Sequence, residues 1–327
     1  MSFCTPARSR GFTLIELMIA MLLGLLVVAA AGAIFVSNRQ TYIATESLGR
    51  VQESARTAFE LMARDIREAG GNPCDRRASV ANVVDPAVTD WWAAWGDGVV
   101  GYGAGTAMDG LADGAGVGQR VAGAGDAIEL KSAHSGVTVQ SHDASAAEFT
   151  VSGTGPGFVA GDLALVCDYA QASVFSVAAA AGTTVSHDLG SANCTKGLGQ
   201  PVACDAGSGM TYIYPRNSTI AKIAATRWYI GNNNEGGRSL FRQTRRSATS
   251  GVDLEEVVRG VTSLRLGYLV PGNVDYVAAG SVAPTQWSEV SAVRVTLTFE
   301  GDKRVGTAGE RISRQVAYVA SLRNRLP

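Results

Sequence analysis

The sequence predicts an α+β chain: one long N-terminal helix, with a membrane-spanning first half and an amphipathic second half, packed on a C-terminal antiparallel β-sheet head. Three observations carry this reading. Phe12–Val36 is an apolar run whose only charge is Glu16, and apolar residues then recur at steps of three and four as far as Ala69. Beyond Pro73 the period falls to two, in segments rich in Val, Leu, Tyr and Thr. Across 327 residues, 46 % hydrophobic and 17 % charged side chains exclude general disorder. The 28 Lys+Arg against 29 Asp+Glu leave a net charge of -1, so no nucleic-acid partner is expected. The 39 glycines suit sheets joined by turns better than a compact helical bundle.

Residues 1–11 form a short basic leader carrying Arg8 and Arg10. Residues 12–36 follow as the transmembrane segment, long enough at about 1.5 Å rise per residue to cross a bilayer. The two arginines before it place the N-terminus in the cytoplasm. The span exceeds the roughly 7–15 apolar residues of a secretory signal peptide. Glu16 is the anomaly, since a carboxylate placed centrally in such a span costs roughly 2.5–3.5 kcal/mol and usually has a partner. Within the segment it has none. A cut between Gly11 and Phe12 would create an α-amine near the depth of Glu16, so that packed helices could pair each carboxylate with a neighbour's amine.

Residues 37–70 are the amphipathic half of the same helix. Leu48, Val51, Ala55, Ala58, Phe59, Met62, Ile66 and Ala69 make one stripe, with Glu46/Arg50 and Glu60/Arg64 as expected pairs on the solvated face. Gly70-Gly71-Asn72-Pro73 ends the helix, because glycine accepts the left-handed cap and proline cannot continue. A single helix over 12–69 is thus predicted.

The remainder, 71–327, reads as a β-rich periplasmic or extracellular head. Val290–Glu300 alternates most cleanly, with Val293, Val295, Leu297 and Phe299 on one face. Strands are also predicted around Leu264–Tyr268, Ile312–Leu322, Ile213–Tyr214, Thr226–Ile230 and Leu240–Phe241. Shorter candidates are Ala127–Lys131, Glu148–Ser152, Asp162–Asp168 and Ser173–Ala178. Val252–Arg259 reads as a short helix. The Gly- and Ala-rich stretch near 91–126 has no period and reads as a long surface excursion.

Arg10-Gly11-Phe12-Thr13-Leu14-Ile15-Glu16-Leu17-Met18 resembles the class III signal of type IV pilins and type II secretion pseudopilins. That resemblance implies a type IV pilin-like fold, cleavage after Gly11 by a prepilin peptidase, and methylation of the Phe12 amine. Further on, Arg227-Trp228-Tyr229-Ile230, Ser239-Leu240-Phe241-Arg242, Leu254–Val261, Trp287 and Ser321–Arg325 resemble the PilW group of minor pilins. Residues 75–210 have no counterpart in that likeness. It implies a minor pilin that joins other minor pilins and the major pilin to initiate pilus assembly, near a tip that holds a PilY-type adhesin. It also implies an inner-membrane location before assembly and an extracellular one afterwards. The alternative is a J-type minor pseudopilin of type II secretion.

Cys4 leaves with the leader, so the mature chain keeps Cys74, Cys167, Cys194 and Cys204, an even number suited to an oxidising compartment. Three pairings are open. Cys194–Cys204 with Cys74–Cys167 is favoured: the first closes a short loop worth about 3 kcal/mol, and the second ties the helix end to the sheet. Free buried thiols are the alternative, and without a C-x2-C pair no zinc site is expected. No other metal, no cofactor and no catalytic residue is predicted. His134, His142 and His187 lie outside metal motifs and read as surface or loop imidazoles. Asp97, Asp109, Asp113 and Asp126 read as turn formers, since their spacing fits no EF-hand.

Overall fold

The computed structural model describes residues 11–74, 78–85, 90–96, 98–153, 157–189, 192–204, 209–245, 251–304 and 310–325. Helix α1 spans Leu14–Glu68, unbroken by proline, and stops where Gly70 takes a φ of +67°. The Gly70 N–H donates to the Lys131 carbonyl at 2.8 Å, so the cap doubles as a joint to the sheet.

The strands are β1 (Ser79–Asn82), β2 (Val99–Tyr102), β3 (Ala127–Asp143), β4 (Glu148–Val151), β5 (Leu163–Cys167), β6 (Gln171–Ser176) and β7 (Ala179–Ala181). They continue with β8 (Thr184–Ser186), β9 (Thr219–Asn232), β10 (Arg238–Arg245), β11 (Val252–Arg259), β12 (Val261–Leu269), β13 (Ala292–Arg304) and β14 (Arg311–Ser321). One sheet runs β1-β6-β5-β9-β3-β4-β8-β7, with β10 and β11 added beside β9 and β2 beside β3. A second, three-stranded sheet runs β12-β13-β14. The β1–β6 pair is parallel, and the other described pairings are antiparallel.

The chain divides into two compact units, Met1–Arg50 with Gly301–Ile312 and Val51–Glu300 with Ser313–Pro327. In the first, Arg50 pairs with Glu46 at 2.8 Å and lies 3.8 Å from Asp302. In the second, the apolar stripe of α1 is buried: Val51, Ala55, Ala58, Met62, Ile66 and Ala69 join Trp228, Leu264, Val293, Val295 and Phe299 in one core. The alanines Ala55, Ala58 and Ala69 let the helix lie close on the sheet. A second core gathers Trp91, Trp92 and Trp95 with Leu163, Leu165, Val174 and Ile223. A third gathers Val139, Phe149, Val166, Phe175, Val185 and Tyr214.

Several expectations are corrected. Val252–Arg259 is strand β11, not a helix: β10 offers it a ladder from Ser239↔Arg259 to Arg245↔Val252 with one bulge at Val257, and Gly260 at φ +73° turns it into β12. The stretch near 91–126 is no mere surface excursion. Its three tryptophans are buried, it contains β2, and Arg120 is 1 % exposed, donating to the carbonyls of Thr106 and Gly103. Ile213–Tyr214 lies outside every ladder. The pair expected between Glu60 and Arg64 gives way to Arg56–Glu60 at 2.8 Å and Arg64–Glu68 at 3.3 Å, equally spaced partners on the same exposed face.

Candidate functional site

The N-terminal determinants start from local backbone. Gly11, Phe12 and Thr13 precede α1, so the Gly11–Phe12 junction is outside the helix and Phe12 is 87 % exposed. A Cβ at Gly11 would meet nothing within 4 Å. Thr13 caps the helix: its carbonyl accepts from Leu17 N–H at 3.2 Å, and its hydroxyl accepts from Glu16 N–H at 3.3 Å. The Glu16 carboxylate reaches back to the Thr13 N–H and hydroxyl, both at 3.4 Å. This is the reciprocal capping box of a T-x-x-E sequence. It corrects the expectation that Glu16 lacks a partner within its own segment. From Leu14 to Val36 the side chains are exposed on every face of a helix long and apolar enough to cross a membrane. Residues 1–10, with Arg8, Arg10 and Cys4, lie outside the described residues.

At its other end α1 is held by Asp65. One carboxylate oxygen accepts from Trp228 Nε1 at 2.9 Å and from Arg242 Nε at 2.9 Å, and the other from Arg242 Nη2 at 3.0 Å. Trp228 and Arg242 are cross-strand partners on β9 and β10, so the register of that ladder builds the receptor for one helical carboxylate. On the opposite face of β9, Arg227 is fully buried. It donates to Glu129 of β3 at 2.8 and 2.5 Å and lies 4.1 Å from the centre of the Trp91 ring.

Disulfides join Cys74 to Cys167 and Cys194 to Cys204. The first fixes the segment after α1 to β5; the second closes a loop beside the third core. Two histidines meet there. His142 and His187 are not surface imidazoles: His142 sits on β3, His187 is fully buried in the loop after β8, and their Nε2 atoms are 3.1 Å apart. His142 Nδ1 accepts from the Tyr214 N–H at 3.1 Å, which leaves Nε2 as the protonated nitrogen that donates to His187. Burial lowers His142 to about 4; burial, helped by His142 and Lys196, lowers His187 to about 3. The side chain of His134, like Asp97, lies outside the described residues. Among the described residues no cluster of His, Cys, Asp and Glu is arranged to hold a metal. Asp126 serves the backbone instead, accepting from Ala104 and Leu266.

Residues 6–32 match the family described as the prokaryotic N-terminal methylation motif. Residues 227–320 match the family described as type IV pilus-assembly protein W. Together the two matches support a type IV pilin of the PilW type. No curated protein and no solved structure matches the chain. In this chain the first match holds the Gly11–Phe12 junction, Thr13 and Glu16, while the second holds Trp228 and Arg242, which grip Asp65 of the helix between the two. The apolar helix with the methylation motif accords with membrane anchoring. Sequence reading missed Asp65, Arg120, the Arg227–Glu129 pair and the histidine contact. Arg227, Trp228 and Arg242 carried a signal, as parts of two of the motifs that resemble the PilW group.

Proposed function

We propose that this chain is a minor pilin with a structural rather than enzymatic role, cut after Gly11 by a prepilin peptidase, methylated on the Phe12 amine, and drawn from the inner membrane into the complex that initiates type IV pili. The head then lies in the periplasm before assembly and outside the cell afterwards. Other minor pilins, the major pilin and a PilY-type tip adhesin are its partners.

The observation that carries this reading is the pairing of a methylation motif with a PilW match on one chain. The geometry supports it. The junction lies outside the helix, where a peptidase can hold it in extended form, and the capping box presents Glu16 one turn from the new amine. On assembly, the carboxylate exchanges its long contacts with Thr13 for a charged amine on a neighbouring helix, an interaction that strengthens in a low-dielectric surrounding.

Glu16→Val tests the proposal. The variant should be processed and should accumulate in membranes, yet fail to enter sheared pili or co-purify with other minor pilins. Unchanged piliation refutes the charge exchange. Deletion of the chain, scored for surface pili and for protein secretion, separates this reading from the pseudopilin alternative.

A further inference from the structure

The run from Met210 to Pro215 belongs to no ladder, yet it is built like a strand. Thr211, Ile213 and Pro215 are exposed, whereas Tyr214 is 1 % exposed. The rings of Tyr212 and Tyr214 meet edge to face with centroids 4.8 Å apart, so residues two apart share a face. One edge of the run makes two bonds. Gly199 N–H donates to the Met210 carbonyl at 2.7 Å, and Tyr214 N–H donates to His142 Nδ1 at 3.1 Å. Backbone groups at successive positions of an extended chain point to opposite edges. Those of Thr211 and Ile213 therefore face away from Gly199 and His142. Among the described residues, their N–H and C=O groups make no hydrogen bond.

The free edge is held in place and has room beside it. Tyr212 donates to Asp168 at 2.7 Å, and the Tyr214 hydroxyl bonds Ser173 at 2.6 Å, so little ordering remains to be done on binding. A cavity of about 740 Å³ lined by Thr211 and Ile213 is also lined by the Asp143–Ser145 turn and by Lys196. Ile213 is 65 % exposed and Met210 51 % exposed at its margin. Lys196 is neutralised by Asp188 at 3.0 Å, which leaves Asp143 as the unbalanced charge. Its carboxyl is held below the usual carboxylate range by the Ser145 hydroxyl and the Ala146 N–H, and so stays anionic.

We propose that Thr211–Ile213 is an acceptor edge for β-strand addition, taking an extended segment of a partner protein that places an apolar side chain on Ile213 and a Lys or Arg beside Asp143. Two N–H and two C=O groups supply the ladder, and the alternating neighbours supply selectivity. The site lies outside both family matches and does not depend on the function proposed above.

The test uses the full chain in detergent micelles and a synthetic acetyl-Lys-Val-Thr-Val-Lys amide as probe, read by hydrogen exchange of residues 209–215. The probe should protect Thr211 and Ile213. A copy N-methylated on its bonding edge should bind about tenfold more weakly or less, since it cannot complete the ladder. A copy with Glu for Lys should weaken as well. Ile213→Pro removes one unpartnered N–H without touching an internal bond, so it should keep the native melting temperature and lose the protection. Absence of protection at millimolar probe, or equal protection by the N-methylated copy, overturns the proposal. Protection that rises with protein concentration without probe assigns the edge to a second copy and overturns the partner named here.

Discussion

Acidification from about pH 7 to about pH 4 should unfasten the head through His142 and His187, with a magnitude that follows from their geometry. Both acceptor nitrogens in the chain Tyr214 N–H to His142 to His187 already face an N–H, so an added proton has to break a contact. Unfolded histidine titrates near 6.5, while in the fold the two sit at about 4 and about 3, burial being the first cause for each. A base whose folded pKa is depressed binds fewer protons folded than unfolded across that window. Stability is therefore full above about pH 6.5 and falls as the pH drops towards the folded values. At 1.36 kcal/mol per pK unit, and counting partly solvated His142 for less, the pair removes on the order of 4 kcal/mol by about pH 4. Urea midpoints across this range, compared with the His142→Phe, His187→Phe double variant, isolate the contribution from that of the carboxylates. The double variant should show a flatter acid limb, and nitrogen shifts should place the His142 proton on Nε2. An acid limb of equal steepness in the two proteins refutes the reasoning.

Asp65→Ala leaves a buried indole N–H and a half-buried guanidinium without an acceptor. It should cost about 3 kcal/mol by denaturant unfolding, and Asp65→Asn, which keeps one acceptor, should cost less. Val295→Asp places an unpaired carboxylate in the helix-facing core and should lower stability by several kcal/mol, whereas Thr296→Asp on the other face should be nearly silent; equal melting temperatures would show the register to be wrong. A Cβ at Gly101 would stand 2.2 Å from the buried Tyr268 hydroxyl, which has no partner, so Gly101→Ala should destabilise by about 2 kcal/mol. Tyr268→Phe should be close to neutral on its own and should recover little of the loss in a double-mutant cycle, since the ring Cζ and Cε2 would still stand 2.4 and 2.7 Å from the added Cβ.

Local periodicity made α1 and most strands legible. The stripe from Val51 to Ala69 repeats within a single helix, and its stop is written in Gly70 and Pro73. The alternation of β13 is equally local. What escaped the sequence is long-range: Asp65 and Arg242 are 177 positions apart and His142 and His187 are 45 apart. The three tryptophans of the 91–95 stretch sit among glycines and alanines with no period, and become core because distant strands bring Leu163, Leu165, Val174 and Ile223 against them, with the Arg227 and Arg245 guanidinium groups over Trp91 and Trp92.

Two misread segments fail in opposite directions, and the contrast explains what sequence pattern can specify. Val252–Arg259 carries two adjacent glutamates that favour a helix, yet it is a strand because β10 supplies a ladder along its length, with one bulge at Val257. Ile213–Tyr214 carries the β-branched and aromatic residues of a strand, and keeps the alternating faces of one, yet among the described residues no neighbouring strand pairs with it. Propensity is thus overruled where a ladder is present and left unfulfilled where one is absent. In the first segment the protein itself supplies the missing edge. In the second, the backbone has been fixed in the pairing geometry by Gly199, His142, Asp168 and Ser173, while the opposite edge at Thr211 and Ile213 stays open. A chain that holds an extended run rigid without pairing it has borne the entropy cost of a strand in advance, and that cost is recovered only when a second strand arrives.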